Sequence, residues 1–217
     1  MAKQTSRIKA AKKAQTDTRE ILLDTTRTLL IEGNTTQVSF GDISGHSGVN
    51  GALIRYHFGS KQGLFEALLE RDAGSTFAAL ERLVAAHLGA EEKLRRHVHG
   101  VTKIYHRYPY LNRLVGVMSA EGDTKSARFI SERFTRPLAE AQRMILEQGK
   151  AEGVFREIDP MLFHFSLVGA CDHLFHARAA LGFLFDVHEI DEDLRSRYAD
   201  HICNLLLDSI RAPDCKP

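Results

Sequence analysis

Apolar residues recur along most of the chain at three- and four-residue intervals, the period of a helix with one buried face. Residues 1–16 are polar, with scattered Lys and Arg and no apolar stripe, and read as a flexible basic arm. The first stripe is then Ile21, Thr25 and Leu29, with Leu22 and Leu30 beside them. Asp17 is placed to cap this helix, and Gly33-Asn34 to end it, because both residues tolerate the left-handed backbone of a C-cap. Ser39 caps a short helix to about His46, and Gly48 marks a tight turn. Asn50 caps a third helix to Phe58, and Ser60 a fourth that reaches about His87 through Leu64, Leu68, Arg71 and Leu83.

Leu94, Val98, Val101, Tyr105 and Tyr108 form the next stripe, and Pro109 fits the first turn of a further helix, where its missing N–H costs nothing. Asp123 to Gly149 predict a long helical stretch with Ile130, Phe134, Leu138, Ala141 and Ile145 on one face, kinked or divided at Pro137. Asp159-Pro160 opens a helix to about Leu184 that is apolar nearly all round. Asp191 opens a last helix carrying Leu194, Tyr198, Ile202, Leu205 and Ile210. No strand-like alternation or Asn-Gly hairpin interrupts this pattern, so the expected fold is all-α.

Composition adds bounds. A hydrophobic fraction of 43% and a charged fraction of 26% are ordinary for a folded chain, and no stretch approaches the roughly 20 apolar residues of a membrane helix. The basic N-terminus has no apolar core behind it, so a secretory signal is not expected. Cys171, Cys203 and Cys215 are widely spaced and odd in number, which suits a reducing cytoplasm and makes no zinc pattern. Charge is unevenly placed: residues 1–63 hold nine Lys and Arg against five Asp and Glu, whereas the rest holds 20 against 23. A basic N-terminal unit on a mildly acidic body points to a polyanionic partner for that unit.

The stretch Phe40 to Phe58, FGDISGHSGVNGALIRYHF, has the makings of a helix-turn-helix. Ile43, Val49 and Ile54 are spaced to hold two crossing helices together, and Ser44 and Ser47 are small where the helices touch. Gly48 supplies the positive φ of the turn. The second helix could enter a major groove with its N-terminal residues facing bases, although the same spacing suits any helical corner with a glycine in it. Tyr56, His57 and Lys61 follow where a phosphate backbone would lie.

From Asp17 to Leu69 the sequence resembles the TetR/AcrR family of bacterial regulators. The resemblance rests on Glu32-Gly33, the DIxxxxGV element at Asp42 to Val49, Tyr56-His57-Phe58 and Ser60-Lys61, all in register. It implies a homodimer, usually a repressor, that binds double-stranded operator DNA and is released when a small-molecule effector enters the C-terminal domain. The division expected is a DNA-binding unit over 17–63 and a ligand-sensing and dimerisation domain over 64–217. Ser39 would cap the second helix and contact phosphate, and Asn50 would start the recognition helix. Gly51, Ala52 and Arg55 would approach bases, while Tyr56, His57 and Lys61 would contact phosphate. Leu53 replaces a frequent threonine and offers only contact to a thymine methyl. Arg55 is a guanine reader or a further phosphate contact. Gly149 to Arg156, followed by Asp159-Pro160, resembles the loop before the first dimerisation helix.

In the larger domain Val98, Tyr105, Met118, Phe129, Phe134, Phe163 and Phe165 supply apolar surface for a ligand cavity or for plain core packing, with His97, His99 or Tyr105 as polar anchors. His173 and His176 share a helical face beside Cys171 and Asp172, with His164 nearby, yet no fourth ligand stands at a diagnostic spacing. No nucleophile with its base and no phosphate-cradling glycine loop is visible. No metal, cofactor or catalytic residue is therefore expected. The fourth helix is the expected mechanical link between the two units.

Overall fold

The computed structural model describes residues 2–120 and 124–213, and the expected helix start at Asp123, like Cys215, lies outside them. Eleven α-helices follow one another: α1 (Ala2–Glu32), α2 (Phe40–Ser47), α3 (Gly51–Phe58), α4 (Lys61–Ala85), α5 (Ala90–Arg107), α6 (Leu111–Ser119), α7 (Lys125–Ile130), α8 (Arg136–Ala151), α9 (Pro160–His176), α10 (Arg178–Phe185) and α11 (Glu192–Ile210). Among the described residues the one strand-like pairing outside them is an isolated bridge between Phe155 and Arg211.

The first helix is longer than the sequence predicts. It starts at Ala2, so Asp17 lies in its interior and caps nothing, and residues 2–16 continue the helix instead of forming an arm. The stretch is rich in Ala, Lys and Gln and holds no Gly or Pro, so propensity favours helix even without an apolar stripe. The buried face is also turned by one residue: Leu22, Leu23, Thr26 and Leu30 are fully buried, while Ile21 is 46% exposed. Burying Thr26 costs little because its hydroxyl donates to the Leu22 carbonyl at 2.7 Å. The helix ends as expected at Gly33-Asn34, with the left-handed conformation taken by Asn34 at φ 46°.

α1, α2, α3 and the start of α4 pack together around Leu22, Leu30, Ile43, Ile54, Leu64 and Leu68, all fully buried. Each such side chain contributes about 1.5–3 kcal/mol relative to exposure. In the body α5 is central and packs against α4, α8, α9 and α11. Its predicted stripe is the core: Leu94, Val98, Val101, Tyr105 and Tyr108 are all buried. Lys93 is buried too, and its ammonium donates to the Val84 carbonyl and to Gln148 Oε1 at 2.8 Å.

Proline positions needed the structure. Pro109 sits in the turn before α6, two residues ahead of its first helical residue. Pro137 is the second residue of α8, and the division expected there is a single π turn, Ser131–Thr135, between α7 and α8. The Arg136 N–H bonds the Ser131 carbonyl, five residues back. The wider turn accommodates the ring of Pro137, which would otherwise crowd the carbonyl four residues behind it. α9 likewise stops at His176 and resumes after Ala177 as α10, rather than running unbroken to Leu184. Asp159 and Asp191 cap α9 and α11 through their carboxylates, as their positions predict. Leu205, expected on the buried stripe of α11, is 55% exposed.

Candidate nucleic-acid interface and ligand cavity

α2 opens with a reciprocal cap. The Ser39 hydroxyl accepts from the Asp42 N–H at 3.1 Å, and Asp42 Oδ2 accepts from the Ser39 N–H at 2.8 Å. Ser39 Oγ also donates to that carboxylate at 2.7 Å. These bonds from Ser39 hold the Asp42 carboxyl below its ordinary pKa. The Ser39 hydroxyl is thus engaged within the cap. Gly48 ends α2 in the left-handed region at φ 68°, where a side chain would be strained. Ser44 donates to the Val49 carbonyl at 2.7 Å and Ser47 accepts the Val49 N–H at 3.1 Å. The two serines therefore satisfy the backbone of the turn, a role their small size did not reveal.

Asn50 caps α3 by accepting the Ala52 N–H at 2.9 Å. Only Ile54 of this helix is buried, so Ala52, Leu53, Arg55 and Tyr56 face solvent from a rigid short rod. Gly51, His57 and Lys61 are half-buried at its two ends. His57 packs edge-on against Tyr56 at 5.3 Å, and the Lys61 ammonium lies over the Phe65 ring at 5.4 Å. Gly63 is required close by: a Cβ there would lie 2.2 Å from the Phe58 carbonyl oxygen. The outcome is one exposed helix, anchored by a single isoleucine and capped at both ends, with Arg55, Tyr56 and Lys61 toward its C-terminal end. Such a helix can enter a major groove.

The body holds a cavity of about 540 Å³, bounded by α4, α5, α6, α8, α9 and the π turn. Its walls are mostly apolar, including Phe77, Leu80, Val101, Ile104, Val115 and Val168. Of the residues expected there, Tyr105, Phe134 and Phe165 line it. Val98, Met118 and Phe163 are core residues away from its wall, and Phe129 stands behind Phe134, ring to ring at 5.8 Å. The π turn matters here because it brings Phe134 and Thr135, adjacent in sequence, both onto the lining. His97 lines the cavity, whereas His99 pairs with Asp200 at 3.0 Å and ties α5 to α11.

Gln142, Asn112 and His164 organise the polar parts of this cavity, and the first two escaped sequence reasoning. Gln142 is fully buried, donates its amide N–H to His97 Nε2 at 3.0 Å and accepts from His164 Nδ1 at 2.8 Å. Burial pushes the His97 pKa down to about 4 and lowers that of His164, so both rings are neutral near pH 7. Asn112 donates to Asp172 Oδ2 at 3.0 Å. His173 and His176 are exposed and stack at 6.5 Å, whereas Asp172 and Cys171 are buried, so the cluster does not converge on one point.

Contacts beyond α4 join the two units. Arg113 on α6 donates to the Asn34 carbonyl at 2.5 Å and to its side-chain oxygen at 2.8 Å. Arg178 on α10 donates to the Ile31 carbonyl. The Tyr110 hydroxyl donates to buried Asp72 Oδ2 at 2.5 Å, and Asp72 in turn holds Arg71, which bonds Asp24 of α1 at 3.0 Å. The fourth helix is therefore not the single link: α6, which lines the cavity, also grips the end of α1.

A glycine-turned pair of capped helices, presented by a helical body with an internal cavity, defines a helix-turn-helix DNA-binding regulator of transcription. Residues 22–68 match the family described as bacterial regulatory proteins, tetR family, and residues 87–216 match the tetracyclin repressor-like C-terminal domain. The chain belongs to the TetR family. Solved structures with the same fold include the transcriptional regulator FadR of Bacillus subtilis in complex with stearoyl-CoA (TM-score 0.64, 17% identity, 88% of this chain and 98% of that one). Another is the ketosteroid transcriptional regulator of Mycobacterium tuberculosis (TM-score 0.70, 16% identity, 89% and 95%). A third is a TetR-family regulator of Marinobacter aquaeolei (TM-score 0.65, 18% identity, 92% and 98%). At these identities the likeness is one of fold. No curated protein matches the chain significantly. Among the described residues no helix is long and apolar enough to cross a membrane.

Proposed function

We propose that this regulator is a cytoplasmic homodimeric repressor, and not an enzyme, that binds a palindromic operator and leaves it when a small molecule fills the cavity. The observation that carries this reading is the junction: α6 forms part of the cavity wall while its Arg113 and the adjoining Tyr110 hold α1 and α4. A molecule that displaces α6 acts on both helices that carry the reading head. In this division residues 17–63 are the DNA unit and 64–217 the sensing and dimerisation body. Gly51, Ala52 and Arg55 approach bases, Leu53 offers contact to a thymine methyl, and Asn50 starts the recognition helix. Ser39, Tyr56, His57 and Lys61 bind the phosphate backbone, Ser39 through the N-terminus of the helix it caps.

Dimerisation is supported by an apolar outer face. Met161, Leu162 and Phe165 of α9, Phe183, Leu184 and Phe185 of α10, and Leu205 of α11 are all more than half exposed. Large apolar side chains left exposed on these three helices mark an association surface, and a two-fold pair would set two recognition helices about 34–36 Å apart, one helical turn of DNA. The test is a pair of reciprocal titrations, operator duplex against effector and effector against operator-bound protein. Linkage requires the effector to bind the operator complex more weakly by the same factor, about 5- to 150-fold, by which it weakens DNA binding. Equal effector affinity for free and operator-bound protein would overturn release by ligand; salt-independent binding to every duplex would overturn the operator itself.

A further inference from the structure

The cavity carries its polarity at two separated places. On α5 the residues His97, Val101 and Tyr105 stand four apart and so share one face; on α9 the residues His164, Val168 and Asp172 do the same. The two faces are in register. Gln142 bridges His97 to His164, and at the other end the Asp172 charge acts on Tyr105, while Asp172 bonds Asn112 of α6. Each helix therefore reads polar, apolar, polar against the other. Eight residues separate the stations along both helices, which at 1.5 Å per residue is about 12 Å.

Both stations have capacity left for a guest. With Gln142 donating to His97 Nε2, the neutral His97 ring carries its proton on Nδ1, and His164 keeps Nε2 as an acceptor; no described hydrogen bond reaches either atom. At the far station Tyr105 is 5% exposed and lines the cavity, and no described hydrogen bond involves its hydroxyl. Behind the lining, Oδ1 of Asp172 is buried without a partner among the described residues. Buried polar groups of this kind are costly when unmatched, so they discriminate strongly for a guest that completes them. Charge is scarce: the lining contains no carboxylate, and its one cationic side chain, Arg96, is more than half exposed and bonds Glu92 at 2.6 Å.

Resting on the reading of this cavity as the effector site, we propose that the effector is an uncharged, elongated and largely apolar molecule with a hydrogen-bonding oxygen at each end, about 12 Å apart. One oxygen meets His97 and His164, the other meets Tyr105 and Asn112, and the apolar middle lies against Val101 and Val168. A carboxylate at either end is disfavoured, because one end is backed by Asp172 and at the other both histidine rings are neutral and supply no charge to offset its desolvation.

The test is calorimetric titration of the full-length protein with α,ω-octanediol, octanol and octanoate. Burial of apolar surface alone ranks octanol above the diol. Two stations reverse that order, with the diol binding about three- to tenfold more tightly and octanoate most weakly. Tyr105→Phe removes one oxygen and should erase the diol's advantage while changing octanol binding less than about twofold. Octanol binding as tightly as the diol overturns the two-station proposal and leaves the cavity as the effector site. Octanoate binding above octanol overturns the uncharged character. Failure of all three to bind at millimolar concentration overturns the sensing reading with it.

Discussion

Between Ser39 and Gly63 the described side-chain hydrogen bonds reach at most five residues along the chain, the longest being Ser44 to Val49. In the body the corresponding separations are 45 residues for Gln142 with His97, 60 for Asn112 with Asp172 and 62 for Glu152 with the Ala90 N–H. The caps and the turn of the reading head are thus held by hydrogen bonds within its own segment, while α1 and α4 complete its apolar core. The cavity exists only when α4, α5, α6, α8 and α9 have assembled. A unit built locally keeps its shape while its neighbours move, and one assembled from distant parts yields to what enters it. That contrast suits a rigid reader mounted on a responsive body.

Breaking the outer face of the body should have the largest effect. Leu205→Glu puts a charge where two copies are proposed to meet, and sedimentation should then show a monomer. Operator affinity should fall to the non-specific level, about a thousandfold or more. An unchanged dimer would take α11 out of the interface.

Acid should divide the two regions next. His97 has its pKa lowered by burial to about 4, against 6.5 for the exposed ring. The unfolded chain therefore binds the extra proton first, so the stability is full above pH 6.5 and is lost as pH falls toward 4, by about 3 kcal/mol for this residue. Urea unfolding between pH 7 and pH 4 should show this slope, and His97→Gln should flatten it. A slope of the same size in the variant would assign the acid sensitivity elsewhere.

Within the reading head effects should be smaller and separable. Arg55→Ala should cost about 1–3 kcal/mol on the operator and relax preference at one base pair. Equal losses on operator and random duplex would assign Arg55 to phosphate instead. Lys61→Ala should weaken all duplexes alike and lower the salt slope by about one. Smallest, Ser39→Ala should remove the reciprocal cap of α2 and lower thermal stability by about 1 kcal/mol, read by calorimetry. No loss of stability would mean that the Asp42 carboxylate caps the helix alone.

What the sequence determined by itself was whatever a side chain does to its own backbone. Ser39, Asn50, Ser60, Asp159 and Asp191 start helices because each carries an oxygen within reach of N–H groups two or three residues on, and Gly48 turns because it alone lacks a Cβ there. Tertiary structure decided the rest. Ile21 and Leu22 are equally apolar, and only the placement of α2 and α4 buries Leu22 and leaves Ile21 half in solvent. Leu205 fits the periodic stripe of α11 and still faces outward, because α5 and α9 cover the other side. Phe134 reached the cavity through a π turn that no periodicity announces, and Gln142 became its buried bridge through two histidines 45 and 22 residues away. A helical period states that a face is buried somewhere; which residues meet across it depends on the angle and register of helices far apart in the chain, and those are set by packing.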